Sequence, residues 1–274
     1  MKHRLIFFFA VVFGVFARAA EPTDILVQGA EKLEIAEILT ALGPKPERIE
    51  IGPFSFWRGQ IGAHRVVVSL TGQSLINCTV ATVIGIEEFS PRLIVNQGTS
   101  GAQVPYLALH DIIVGGRTLD YGNFGSPPRA AGEGSRPLLW TPVPQRLRAP
   151  ATGELLAHPE GFRGDAEAIA VALRTRNGMG RVFPGTIGSA HEINLELDRV
   201  RWSAKTFGME VEEMESGHVA AIAHAYGVRY IAFRVVSDAP YEGVPFFPLA
   251  ARATALFTVN FLHNFPALPA QGKP

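Results

Sequence analysis

Four short stretches of the chain place polar residues at the carboxyl end of an apolar run, where ligands bind in open α/β sheets. The first is Gly29-Ala30-Glu31-Lys32-Leu33-Glu34. The second is Asn96-Gln97-Gly98-Thr99-Ser100-Gly101, whose small residues let backbone N–H groups approach a ligand closely. The third is Gly188-Ser189-Ala190-His191-Glu192, and the fourth is Ser237-Asp238. Arg234 adds a guanidinium inside the apolar run Ile231–Val236. A buried arginine is costly unless it is paired or faces a polar cavity. Carboxylates near strand ends, with an arginine in a core strand, fit acid/base work on a polar small molecule.

Each of these residues also has a plainer reading. Arg234 fits a structural ion pair, and Asp238 fits a turn before Ala239-Pro240. Glu215, before an alanine-rich helix, fits a carboxylate complementing a helix dipole. Glu34 fits the solvated face of a helix shared with Glu31 and Glu37. Beyond residue 20 the histidines are His64, His110, His158, His191, His218, His224 and His263. None has an HExxH-type spacing, so no metal site is expected. The sequence also lacks a GxSxG elbow, a Walker A loop and a dinucleotide Gly-x-Gly motif. Its one cysteine, Cys78, rules out an internal disulfide and any CxxC pair.

The elements that must position these groups alternate in type. Strands are expected at Ile25–Val27, Phe54–Gly59, Arg65–Leu70, Leu93–Val95, from Asp111, at Arg181–Ile187 and at Tyr230–Val236. Helices are expected over Glu31–Leu42, Ser74–Phe89, Ala166–Arg176, Leu195–Phe207, Ser216–Tyr226 and Phe247–Leu262. Gly125–Pro150 holds six prolines, at 127, 128, 137, 142, 144 and 150, and reads as a long irregular insertion. Alternating strands and helices, with strands apolar on both faces, predict an α/β fold. We expect a single three-layer domain with a mostly parallel, twisted central sheet flanked by helices.

Composition narrows the function. The 274 residues are 47% hydrophobic and 18% charged, so the chain is not disordered. Lys+Arg and Asp+Glu are 25 each, which argues against a nucleic-acid partner. Lys2-His3-Arg4, an apolar run Leu5–Phe16 and Ala17-Arg18-Ala19 form a three-part export leader over residues 1–19. The run is shorter than the roughly 20 residues that span a membrane. The expected product is a secreted or periplasmic domain over 20–274, off the membrane once the leader is cleaved.

The order of motifs resembles the nucleoside phosphorylase/nucleosidase superfamily, and within it the 5′-methylthioadenosine/S-adenosylhomocysteine nucleosidases. The resemblance runs from about Asp24 to Leu262. Its most specific piece is Val211-Glu212-Glu213-Met214-Glu215-Ser216, then Ala220–Ala223, then Ile231–Asp238. Asn96–Gly101 is similar to the family's Asn-Thr-Gly-Ser-Ala-Gly segment, and Gly29-Ala30 with Glu34 to its first strand-helix turn.

The resemblance implies roles. Asp238 would be the general acid at purine N7, and Glu34 would activate the attacking water. Met214 and Glu215 would contact the ribose. Ser237 and Arg234 would support Asp238 and the acidic site, while Thr99, Ser100 and Gly101 would line the pocket. The family's base-stacking aromatic is missing from Gly188–Ile193. Glu192 stands in its place with the two isoleucine positions aligned, and a one-residue gap puts His191 or Ile193 there. The resemblance further implies no cofactor, a small-molecule nucleoside as partner, and a homodimer. Its phosphorylases carry an arginine where this chain has Asn96, which favours hydrolysis. A phosphorylase and a non-catalytic nucleoside-binding protein are the alternatives.

Overall fold

A computed structural model describes residues 23–269; the expected leader lies outside them. The chain begins with β1 (Ile25–Gly29), α1 (Lys32–Ala41), β2 (Glu47–Ile51), β3 (Phe54–Ile61), β4 (His64–Leu70), α2 (Leu75–Phe89) and β5 (Leu93–Ala102). Then come β6 (Ile112–Asp120), β7 (Phe124–Gly125), β8 (Thr141–Pro142), β9 (Gln145–Arg148), β10 (Leu155–His158), β11 (Phe162–Arg163) and α3 (Ala166–Ala172). The last part holds β12 (Val182–Ser189), α4 (Leu197–Phe207), β13 (Val211–Glu213), α5 (Ser216–Ala225), β14 (Arg229–Asp238) and α6 (Ala251–Asn264).

Period-two burial along the strands makes the three layers. Ile25, Val27, Val66, Val68, Leu93 and Val95 point to one face, where α1, α3 and α6 pack. Leu26, Val67 and Ile94 point to the other, where α2 and α5 pack. With both faces covered, most positions on these strands are apolar. Phe233 meets Phe257 and Phe261 of α6 edge-on, at 5.1 and 5.0 Å between ring centroids. Such pairs contribute about 0.5–1.5 kcal/mol beyond their buried area.

The α/β expectation holds, but the sheet is mixed rather than mostly parallel. β1–β4, β1–β5, β5–β14, β6–β12 and β12–β13 run parallel. β2–β3, β3–β4, β5–β13, β6–β14 and β6–β11 run antiparallel. The antiparallel run β2–β3–β4 follows from tight turns at Gly52 and Gly62, whose φ of +57° and +58° suits glycine. Doubly covered strands read as apolar whatever their direction, so burial alone did not reveal it. The pairings β5–β14–β6–β12–β13–β5 also close into a ring.

Two boundaries matter for the site. The segment Asn96–Gly101 is not a loop after a strand; it lies within β5. Likewise Ser237-Asp238 belongs to β14. The expected irregular stretch is partly ordered: β7 pairs with β8, and β9 pairs with β10 just beyond Pro150.

Candidate active site

At the carboxyl ends of β1, β5, β13 and β14 lies a cavity of about 630 Å³. Its walls include Glu34, Thr99, Ser100, Gly101, Ile193, Met214, Glu215, Ser237 and Asp238, all expected from the sequence. The structure therefore brings together segments up to about two hundred residues apart in the chain.

Glu34 is at the third position of α1 and completes a capping box with Glu31. It is not on a solvated face; it is 5% exposed. Its Oε2 accepts from the backbone N–H of Ala30 at 2.7 Å and of Glu31 at 3.0 Å. Its Oε1 accepts from the N–H of Thr99 at 2.9 Å. A Cβ at residue 98 would lie 2.6 Å from that Oε1, so Gly98 makes room for the carboxylate. Burial nevertheless raises its pKa, against the pull of Arg234 and these N–H donors.

Asp238 ends β14 where the register against β5 shifts between Val236 and Asp238. Such an irregularity re-aims a side chain. Ser237 Oγ lies 3.0 Å from Asp238 Oδ1 and 3.1 Å from the carbonyl of Ser100. A Cβ at residue 101 would meet Asp238 Oδ2 at 2.7 Å, which accounts for Gly101 opposite it. Burial raises the Asp238 pKa, so its carboxyl holds a proton more readily than a solvated aspartate.

Glu215 caps α5, but its side chain does not bond that helix. Instead Oε1 accepts from the N–H of Ser74 at 3.0 Å. Burial, then the charge of Glu213, lifts its pKa to about 8. The N–H groups of Ser216 and Glu215 go to Glu213, at 2.9 and 3.0 Å.

Arg234, 1% exposed, lies behind this wall and is not part of the cavity lining. Its Nε and Nη2 donate to Glu213 Oε2 at 3.0 and 2.5 Å, and Nη2 also donates to Asn96 Oδ1 at 2.5 Å. Nη1 donates to the carbonyl of Phe233 at 3.0 Å, and Glu215 Oε2 is 4.0 Å away. Arg234 thus has its ion pair and also braces the acidic site; it is placed as a support, not as a ligand contact. Arg234 and three donors from Ser189 and the start of α5 hold the Glu213 pKa below its ordinary value despite burial.

Four residues on or behind the cavity wall have no role in the sequence reading. Glu213 was unassigned, although a buried arginine demands a partner and an acidic run stands nearby. Glu212 also lines the cavity. Tyr121 and Asn194, which bond it, carried no sequence signal. Of the three stand-ins for the missing aromatic, Glu192 and Ile193 reach the cavity and His191 does not.

The acids on the walls are Glu31, Glu34, Glu192, Glu212, Glu213, Glu215 and Asp238, against one base, Lys32. Leu33, Ile193, Leu195 and Phe246 add exposed apolar surface. Among the described residues, no three His, Cys, Asp or Glu side chains are grouped to hold a metal ion. An acid with a raised pKa, a buried carboxylate on another wall and a third carboxylate nearby suit cleavage through a cationic sugar.

Comparison with known proteins agrees. Residues 24–261 match the model of the Phosphorylase superfamily. The chain belongs to the phosphorylase superfamily. Two similar relatives are 5′-methylthioadenosine/S-adenosylhomocysteine nucleosidases. That of Shewanella halifaxensis is 24% identical over 217 residues, covering 77% of this chain and 84% of the relative. That of Mycobacterium tuberculosis is 27% identical over 235 residues, covering 82% and 90%. Among solved superfamily structures, futalosine hydrolase of Helicobacter pylori superposes with a TM-score of 0.71 at 20% identity, covering 88% of this chain and 97% of that one. The Neisseria meningitidis nucleosidase in complex with methylthio-immucillin-A gives 0.69 at 24% identity, covering 88% and 99%.

Proposed function

We propose that this protein is a nucleosidase that hydrolyses the N-glycosidic bond of a purine nucleoside whose 5′ substituent carries no net charge, such as 5′-methylthioadenosine or S-adenosylhomocysteine. The observation that carries the reading is the meeting of buried Glu34 and half-buried Asp238 in one cavity, each raised in pKa by its removal from water.

Asp238, keeping its proton longer than a solvated aspartate, gives it to the leaving base. Ser237 holds one oxygen of that carboxyl and leaves the other to the base. Glu34 takes the proton of the attacking water, its orientation fixed by three backbone N–H donors. Glu215 accepts from ribose hydroxyls, and the acidic walls stabilise the positive charge that grows on the sugar. General acid and general base each supply about 10²–10⁴-fold.

Water is favoured over phosphate by two features. The walls are lined by acids, and the buried guanidiniums behind them are committed, Arg234 to Glu213 and Asn96 and Arg199 to Glu192. A phosphate site needs a free fork of donors. The apolar side chains of Leu33, Ile193, Leu195 and Phe246 suit an apolar 5′ group better than a charged one.

The test is a panel of adenosine, inosine, 5′-methylthioadenosine, S-adenosylhomocysteine and futalosine. The reading predicts that kcat/KM is highest for an adenine nucleoside whose 5′ group carries no net charge. A preference for an anionic 5′ group would overturn that assignment. Export is supported by the leader pattern of residues 1–19, and is tested by finding a mature N-terminus at residue 20 or 21. A homodimer is proposed from the resemblance, with sedimentation as its check.

A further inference from the structure

The segment 192–195, which gives Glu192, Ile193 and Leu195 to the cavity wall, belongs to no helix or strand, yet it is tied down on both sides. Glu212, 6% exposed on β13, accepts three hydrogen bonds there. Its Oε1 takes the backbone N–H of Asn194 at 2.8 Å. Its Oε2 takes Asn194 Nδ2 at 2.7 Å and the Tyr121 hydroxyl at 2.7 Å. On the outer side Glu192 pairs with Arg199 at 2.9 Å. The Arg199 guanidinium lies over the rings of Phe124 and Trp202, at 5.0 and 4.6 Å. Between the two ties stands Ile193, 76% exposed and lining the cavity.

Each of the three partners supplies a hydrogen and none needs one, so the hydrogen bonds favour the carboxylate form against burial, which pushes the Glu212 pKa up. The methylenes of Glu212 also flank the strand position that faces Asp238. A Cβ on Gly101 would meet Asp238 Oδ2 at 2.7 Å and Glu212 Cγ at 3.5 Å. The wall that carries Ile193 is therefore referenced to the same point of β5 as the group assigned to protonate the base.

We propose that Glu212 is a positioning residue: through Asn194 and Tyr121 it fixes the 192–195 wall, and with it Ile193, at the Asp238 end of the cavity. The inference rests on the nucleosidase reading for its kinetic consequence but not for its structural one. A substrate wall displaced by about 1 Å costs up to about 10²-fold in rate. A wall that touches bound substrate throughout acts on ground and transition states alike, so the loss falls on KM more than on kcat.

The variants are Glu212→Gln, Tyr121→Phe and the double change Glu212→Gln with Asn194→Asp. Glu212→Gln sets an amide against the Asn194 amide and breaks one bond. The double change returns a carboxylate to the trio with donors around it. Tyr121→Phe removes one donor only, and serves if Glu212→Gln fails to fold. Two readouts are taken. Amide hydrogen exchange over residues 192–195 should quicken by about tenfold or more in Glu212→Gln and return towards the parent in the double variant. With a nucleoside that the parent cleaves, KM should rise about 10–100-fold with a smaller change in kcat, and the double variant should recover most of it. Parental exchange rates in a folded Glu212→Gln protein would overturn the proposal, as would a loss confined to kcat. If the parent cleaves none of the nucleosides, the function fails, and the exchange rates alone decide whether Glu212 holds the wall.

Discussion

Replacing Arg234 by methionine keeps much of the side-chain volume and removes the charge. The structure lets the cost be worked out. The guanidinium is 1% exposed and makes two bonds to Glu213, one to Asn96 and one to the carbonyl of Phe233. Its own desolvation cost disappears with it, but Glu213 stays buried as an uncompensated carboxylate. Removing one partner of a buried pair costs about 3–5 kcal/mol. For a domain of this size about 1 kcal/mol moves Tm by roughly 2–4 °C, so Arg234→Met should lower Tm by roughly 6–20 °C. Arg234→Lys keeps the charge but not the fork and should fall between. Adding Glu213→Gln to Arg234→Met removes the stranded charge and should restore more than half of the lost stability. Chemical denaturation of the parent, Arg234→Met, Glu213→Gln and the double variant closes a double-mutant cycle. A Tm loss under about 2 °C for Arg234→Met, or no recovery in the double variant, would refute the view that a buried ion pair braces the site.

Glu34→Gln should lower kcat by about 10²–10⁴-fold with KM little changed. Gly98→Ala, which puts a Cβ 2.6 Å from Glu34 Oε1, should act the same way at about 10²-fold in a folded protein; steady-state kinetics and circular dichroism check both. The Glu215 carboxyl has a native pKa of about 8, above its ordinary 4.5. Its contribution to stability is full below pH 4.5 and is lost as pH rises towards 8. At about 1.4 kcal/mol per pH unit, Glu215→Gln should therefore stabilise the protein by up to about 5 kcal/mol at pH 8 and by little at pH 4.5, read from urea denaturation at both. The slope from Glu213, whose pKa is lowered, lies below pH 4.5 and does not overlap. Ile193→Asp adds an eighth acid to the cavity walls and should raise KM at least about tenfold, while Tm changes little because the side chain is 76% exposed.

The sequence carried the α/β class because apolar runs, glycine stops and amphipathic helices are local signals. It carried Glu34, Asp238 and Glu215 because the motifs around them resemble a family, not because their types and spacing decided a role. Strand direction was not legible. Val66, Val67 and Val68 read alike in a parallel or an antiparallel partner, since both faces of β4 are covered. Strand length was underestimated at β5, because Asn96 to Gly101 looks like a loop until one sees that small residues leave room for carboxylates beside it. Glu34 looked solvated by helical period. It is buried because the first turn of α1 abuts β5, a tertiary fact that a helical period does not contain. Asn194 and Tyr121 were invisible for the same reason: their value lies in meeting Glu212 across the fold.

The most direct test of the account is base release from 5′-methylthioadenosine by the protein and by its Asp238→Asn variant, each in phosphate-free buffer and with phosphate added. The account predicts free adenine and free sugar from the parent without phosphate, no gain on adding it, and a loss of about 10²–10⁴-fold in the variant. Cleavage that requires phosphate and yields a sugar phosphate would contradict it, as would a parent that binds the nucleoside and leaves it whole.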